Sequence, residues 1–74
     1  MNLSSNEIVR VNVRYYRNLN GLTQKQMADL LNIDEKHYCS LEGGKYQFTL
    51  KNIDIICDIF KIEPVMLFKT NNII

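Results

Sequence analysis

The stretch from Leu22 to Glu42, LTQKQMADLLNIDEKHYCSLE, holds two short helical patterns with too few residues between them for an ordinary loop. Thr23 and Asp34 stand at the two starts as caps, because each side-chain oxygen can accept from the free N–H groups of the following turn. Thr23 and Gln26 have capping-box spacing, with Gln26 reaching back to the Thr23 N–H. Met27, Ala28, Leu30 and Leu31 lay an apolar stripe along the first helix, and Ile33, Tyr38 and Leu41 continue it past the break. A chain built this way buries one common face of a helix pair and leaves the outer face of the second helix in water.

The flanking segments supply the cover for that face. Helix one is predicted from near Asn6 to near Leu19, capped by Asn6 or Ser5, with Glu7 favourable beside the positive helix end. Val9, Val13 and Tyr16 form its core stripe, and Arg10, Arg14 and Arg17 recur at the same interval one residue on. Asn20-Gly21 stops it and Gly43-Gly44 stops helix three, since glycine tolerates the left-handed position after a helix. Thr49 caps a fourth helix with Leu50, Ile53, Ile56, Cys57 and Phe60 spaced to pack inward, and Pro64 opens a short fifth helix, Val65 to Phe68. The expected fold is all-α, a compact five-helix bundle with a helix-turn-helix at helices two and three. Residues 1–74 are read as one domain, with its core over about 7–68 and a short tail over 69–74.

Size and composition narrow the function classes. A chain of 74 residues holds a small core with little spare stability. Polar residues interrupt every apolar run before it could span a bilayer, and Met1 to Asn6 is polar with no signal-peptide apolar region following, so the expected location is the cytoplasm. Cys39 and Cys57 lie far apart with no CxxC partner, as reduced thiols of a cytosolic protein would. Cys57 is expected in the core and Cys39 partly exposed. His37 and Cys39, two apart on one helix, do not face each other, and no metal or cofactor is expected. Catalytic constellations are missing too: there is no glycine-rich phosphate loop and no serine or cysteine arranged with His37 for nucleophilic attack, so the chain does not read as an enzyme.

The net charge is +1, low for a nucleic-acid binder. Residues 1–33 carry Arg10, Arg14, Arg17 and Lys25 against Glu7 and Asp29, or +2. Residues 34–49 carry Lys36 and Lys45 against Asp34, Glu35 and Glu42, or −1, and residues 50–74 balance.

Leu22-Thr23-Gln24, Met27-Ala28, Leu30-Leu31, Ile33, Tyr38, Leu41-Glu42 and Gly44-Lys45 together resemble the phage repressor and Cro-like helix-turn-helix DNA-binding domains, the XRE-type regulators. The resemblance runs from about Glu7 to Phe68 and implies a lambda-repressor-like fold in which the second helix of the pair lies in the DNA major groove. It implies a sequence-specific double-stranded DNA-binding transcriptional regulator, a repressor acting as a dimer on a palindromic operator. By position, Glu35, Lys36, Cys39 and Ser40 are the base-contacting residues. Thr23, Gln24, Arg10, Arg14, Lys45 and Tyr46 are the phosphate-contacting ones, with Gln24 helped by the positive end of helix two. Arg17 and Glu42 form the structural ion pair that ties helix one to helix three.

The chain departs from the family pattern at Asp34 and Glu35, where members tend to carry neutral or basic residues, and at Gly43 and Tyr46, which are often basic. Carboxylates near phosphates lower the sequence-independent part of the affinity. Ile55, Val65, Ile73 and Ile74 are apolar where the bundle has no evident need of them, and they are the expected homodimer interface. The alternative reading makes the helix-turn-helix a protein-interaction module, an antirepressor or antitoxin component, meeting a protein partner through Tyr46, Phe48, Ile55 and the tail.

Overall fold

The helices begin where side chains can close them. In the computed structural model, which describes residues 3–71, these are α1 (Ser5–Leu19), α2 (Gln24–Leu31), α3 (Glu35–Glu42) and α4 (Leu50–Phe60), followed by a 3-10 turn, Pro64–Phe68. Ser4, Thr23 and Thr49 each accept from the N–H three residues on, and the side chains of Glu7, Gln26 and Asn52 each accept in return from the cap's own N–H. Asp34 accepts from the His37 N–H at 2.7 Å. The cap of α1 is thus Ser4, not Ser5 or Asn6, because Ser4 and Glu7 have the reciprocal capping-box spacing. Asn6 instead turns its Oδ1 to the Phe48 N–H, 3.1 Å away, and ties the start of α1 to the connector before α4.

All four helices end in one way. Asn20, Leu31, Gly43 and Phe60 are followed, at once or through the cap, by a left-handed residue: Gly21, Asn32, Gly44 and Lys61. The next N–H then reaches back to a carbonyl of the last turn, as from Leu22 to Arg17, Ile33 to Ala28, Lys45 to Ser40 and Ile62 to Cys57. At Gly44 the φ of +90° favours glycine, and an added Cβ would also crowd Arg10 Nε at 3.0 Å.

The core gathers Val9 and Val13 of α1, Met27, Ala28 and Leu31 of α2, Tyr38 and Leu41 of α3, and Ile53, Ile56, Cys57 and Phe60 of α4, closed by Phe48 and Leu67. Tyr16 is only half-buried and stacks on Phe60 with ring centroids 5.8 Å apart. Two leucines read as inward-facing stand out in solvent. Leu30 is 51% exposed because it lies about 100° around α2 from the face that Met27, Ala28 and Leu31 share. Leu50, at the first position of α4, is 79% exposed and lines a surface depression with Ser4, Ser5 and Phe68.

The fifth helix of the sequence reading is the 3-10 turn, so the described residues hold four α-helices. Five residues opened by a proline are too short for a sustained i→i+4 ladder, and the Met66 N–H bonds Glu63 O at 2.9 Å. Its open carbonyls are met from α1. Buried Asn12 donates its Nδ2 to Leu67 O at 2.8 Å and Lys69 O at 2.7 Å.

Candidate nucleic-acid interface

Asn32, Ile33 and Asp34 make the turn between α2 and α3. Asn32 is left-handed, half-buried Ile33 packs against the core, and Asp34 restarts the helix as its cap. This turn holds the two helices against one another with Met27, Ala28, Leu31, Tyr38 and Leu41 between them. On α3 the buried positions are Tyr38, Leu41 and Glu42, while Glu35, Lys36 and His37 are exposed and Cys39 and Ser40 partly so.

A buried carboxylate fixes α3 from the other side. Glu42 is 3% exposed and its oxygens are occupied: Arg17 Nε donates to Oε2 at 2.8 Å, Arg17 Nη2 to Oε1 at 3.0 Å, Tyr38 OH to Oε2 at 2.5 Å and Gln24 Nε2 to Oε1 at 3.3 Å. Burial alone would push the Glu42 carboxyl up. The hydrogen bonds from Arg17 and Tyr38, the Arg17 charge and the Gln24 amide outweigh it and hold the group below its ordinary value. The same burial, with the Glu42 hydrogen bond, pushes the Tyr38 phenol up, and the Glu42 hydrogen bond raises Arg17. At neutral pH the cluster is therefore one carboxylate, one guanidinium and one neutral phenol. Arg17 Nη1 also donates to Leu22 O at 2.8 Å, which ties α1, the entry to α2 and the end of α3 together.

The sequence-predicted residues divide by location. Glu35 and Lys36 lie on the outer face of α3, with Ser40 half-exposed beside them. Cys39 is half-buried and turned inward, its thiol donating to Gln24 Oε1 at 3.1 Å. Gln24 is thereby held at both ends, by Cys39 and by Glu42, with the carboxylate requiring that the NH₂ end face it. Thr23 is exposed, its hydroxyl accepting from the Gln26 N–H. Arg14 is exposed, whereas Arg10 is half-buried and lays Nη1 3.4 Å from Glu42 O, where a cation meets the free carbonyls of a helix end. Lys45 and Tyr46 are exposed just beyond α3, Lys45 Nζ lying 5.5 Å from the Tyr46 ring centroid. Of the residues expected at a dimer interface, Val65 is 57% exposed and Ile55 is half-buried against the bundle's own core. Ile73 and Ile74 lie outside the described residues.

Two contributions were missed, one on this surface and one in the buried anchor beneath it. His37 belongs to the same exposed run as Glu35 and Lys36, a signal present in the spacing. The Tyr38 hydroxyl meets Glu42 one turn on, an i,i+4 pair that reading Tyr38 as apolar hid.

No helix of the described residues is long and apolar enough to cross a membrane. A family model described as helix-turn-helix matches residues 13–67. An uncharacterized HTH-type transcriptional regulator of Methanocaldococcus jannaschii is 34% identical over 59 residues, covering 77% of this chain and 89% of that protein. The control protein C.SmaI of Serratia marcescens is 36% identical over 50 residues, covering 68% of this chain and 60% of that protein. No solved structure matches. With α2 and α3 forming the helix-turn-helix inside the matched region, the chain belongs to the XRE-type helix-turn-helix family of DNA-binding transcriptional regulators.

Proposed function

We propose that this protein is a sequence-specific regulator of transcription that binds duplex DNA as a homodimer and represses from a palindromic operator. The observation that carries the reading is the mounting of α3. One side of it is locked to α1 through Arg17 and Glu42, and the other side presents Glu35, Lys36 and Ser40 to solvent. A helix held this rigidly can enter a major groove without paying to be ordered on binding. Lysine suits the guanine O6/N7 edge and glutamate accepts from cytosine N4, so each half-site is expected to contain a G·C pair.

Gln24, at the first position of α2, is the proposed phosphate contact, with Cys39 and Glu42 orienting its amide. Thr23, Arg14, Lys45 and Tyr46 are proposed to meet the backbone around it. Geometry supports dimerisation. A single short helix reads few base pairs, and a second copy one DNA turn away, at about 34 Å, supplies the rest.

A mobility shift with duplex from upstream of the protein's own gene tests the reading. Retarded duplex that survives excess random competitor supports it. A folded protein that retards neither duplex at low salt overturns it and leaves a protein-interaction module in its place.

A further inference from the structure

Beside α3, Asp34, Lys36, His37, Ser40, Lys45 and Tyr46 line an open depression of about 240 Å³. Its rim is made mostly of hydrogen-bond donors: two ammonium groups, an imidazole and the Ser40 and Tyr46 hydroxyls. The Tyr46 ring organises it. The His37 ring stands 6.0 Å from the Tyr46 centroid, inclined by 50°, and Lys45 Nζ stands 5.5 Å from the same ring, so one aromatic ring has both an imidazole and a cation as neighbours. Asp34 is the one carboxylate in the lining, and its Oδ1 is taken up by the His37 backbone N–H at 2.7 Å. Lys36 and Lys45 against Asp34 leave one net positive charge, and protonation of His37, the chain's single histidine, makes it two.

Resting on the DNA-binding reading above, we infer that His37, together with Lys45 and Tyr46, holds a backbone phosphate of duplex DNA, and that this contact strengthens as His37 takes up a proton. The chemistry of the lining selects an anion, and its place beside the outer face of α3 puts a strand of the duplex within reach when that helix lies in the groove. The groups facing His37 are Asp34, Lys36, Lys45 and Tyr46. Among such side-chain types, the imidazole is the one that ordinarily changes charge between about pH 5 and 8. A phosphate pairs with an imidazolium and not with the neutral ring, so a contact of this kind weakens as protons are withdrawn. With a net charge of only +1, one added proton doubles the chain's net positive charge.

A phosphate contact is independent of sequence, so the test uses a labelled random-sequence duplex, with affinity measured against pH and salt by fluorescence anisotropy. Wild type is expected to bind several-fold more tightly at acid than at alkaline pH across the imidazole range. Its log–log salt slope should be steeper by about 0.9 at the acid end, the signature of one more phosphate contact. His37→Gln, which keeps polarity and loses the charge, should flatten both dependences. His37→Arg should bind as tightly at alkaline pH as wild type does at acid pH, and Tyr46→Ala should blunt the response. A His37→Gln variant that keeps the wild-type pH response, or a wild type with none, overturns the inference while leaving the DNA-binding reading intact. Folded wild type that binds no duplex at any pH defeats that reading, and the inference with it.

Discussion

Tyr38 and Glu42, one turn apart on α3, are joined by a buried 2.5 Å hydrogen bond from phenol to carboxylate, and Arg17 reaches the same carboxylate from α1. With Gln24 of α2 donating to it as well, the helix that faces solvent is anchored at its far end by one shared anion with donors from three helices.

Removing a single partner leaves a charge poorly solvated, so Glu42→Ala or Arg17→Ala should each cost on the order of 3 kcal/mol. Arg17→Met combined with Glu42→Leu should recover much of that loss. Urea denaturation gives the comparison, and equal midpoints for wild type and Glu42→Ala would remove the pair from this account of stability.

The depressed Glu42 carboxyl has a pH consequence. Its folded-state pKa lies below the unfolded value, so its stabilisation is present above the ordinary carboxylate value of about 4.3 and is lost as pH falls through the folded pKa. Wild type should lose its advantage over Glu42→Gln on acidification through that window. Tyr38→Phe removes a donor from the carboxylate and should shift the loss to higher pH. Parallel acid-unfolding curves for all three proteins would be the contrary result.

Asn12 binds the C-terminal stretch to α1 through Leu67 O and Lys69 O. Asn12→Ala leaves a buried carbonyl without that donor and should cost about 1–3 kcal/mol. Hydrogen exchange is expected to accelerate first over residues 64–70. Uniform acceleration across the bundle would show that Asn12 supports the core generally and not this segment.

On DNA, Lys36→Ala should lose roughly 1–3 kcal/mol on the true site and little on random duplex, because base contacts discriminate. Gln24→Ala should weaken both alike. Competition titrations separate the two, and an equal loss for Lys36→Ala on both duplexes would make Lys36 a backbone contact.

For the proposed dimer, Ile55 is a poor probe, since it packs on its own core, and exposed Val65 is the better one. Val65→Lys combined with truncation after Lys69 should give a folded monomer that binds half-sites without cooperativity on the full site. Sedimentation of wild type as a monomer at high concentration, with undiminished operator binding by the variant, would defeat the assignment.

The helix pair, its caps at Thr23 and Asp34, and the stops at Gly21 and Gly44 were legible in the sequence because each rests on residues within a turn or two of one another. The apolar spacing likewise located most of the core. Leu30 and Leu50 misled because both are apolar, while helical rotation and proximity to the helix end decide which side chains are covered. The Arg17–Glu42 pair was expected from resemblance, but its burial, the third donor from Tyr38 and the capture of Gln24 by Cys39 depend on how α1, α2 and α3 meet. Arg10 on the α3 terminus and Asn12 on the last turn span separations of thirty-two residues or more, which no local pattern encodes. Local chemistry in the sequence determined where helices start and stop. Packing between distant segments decided which polar groups lost their water, and hence which lock α3 in place and which remain free to meet a ligand.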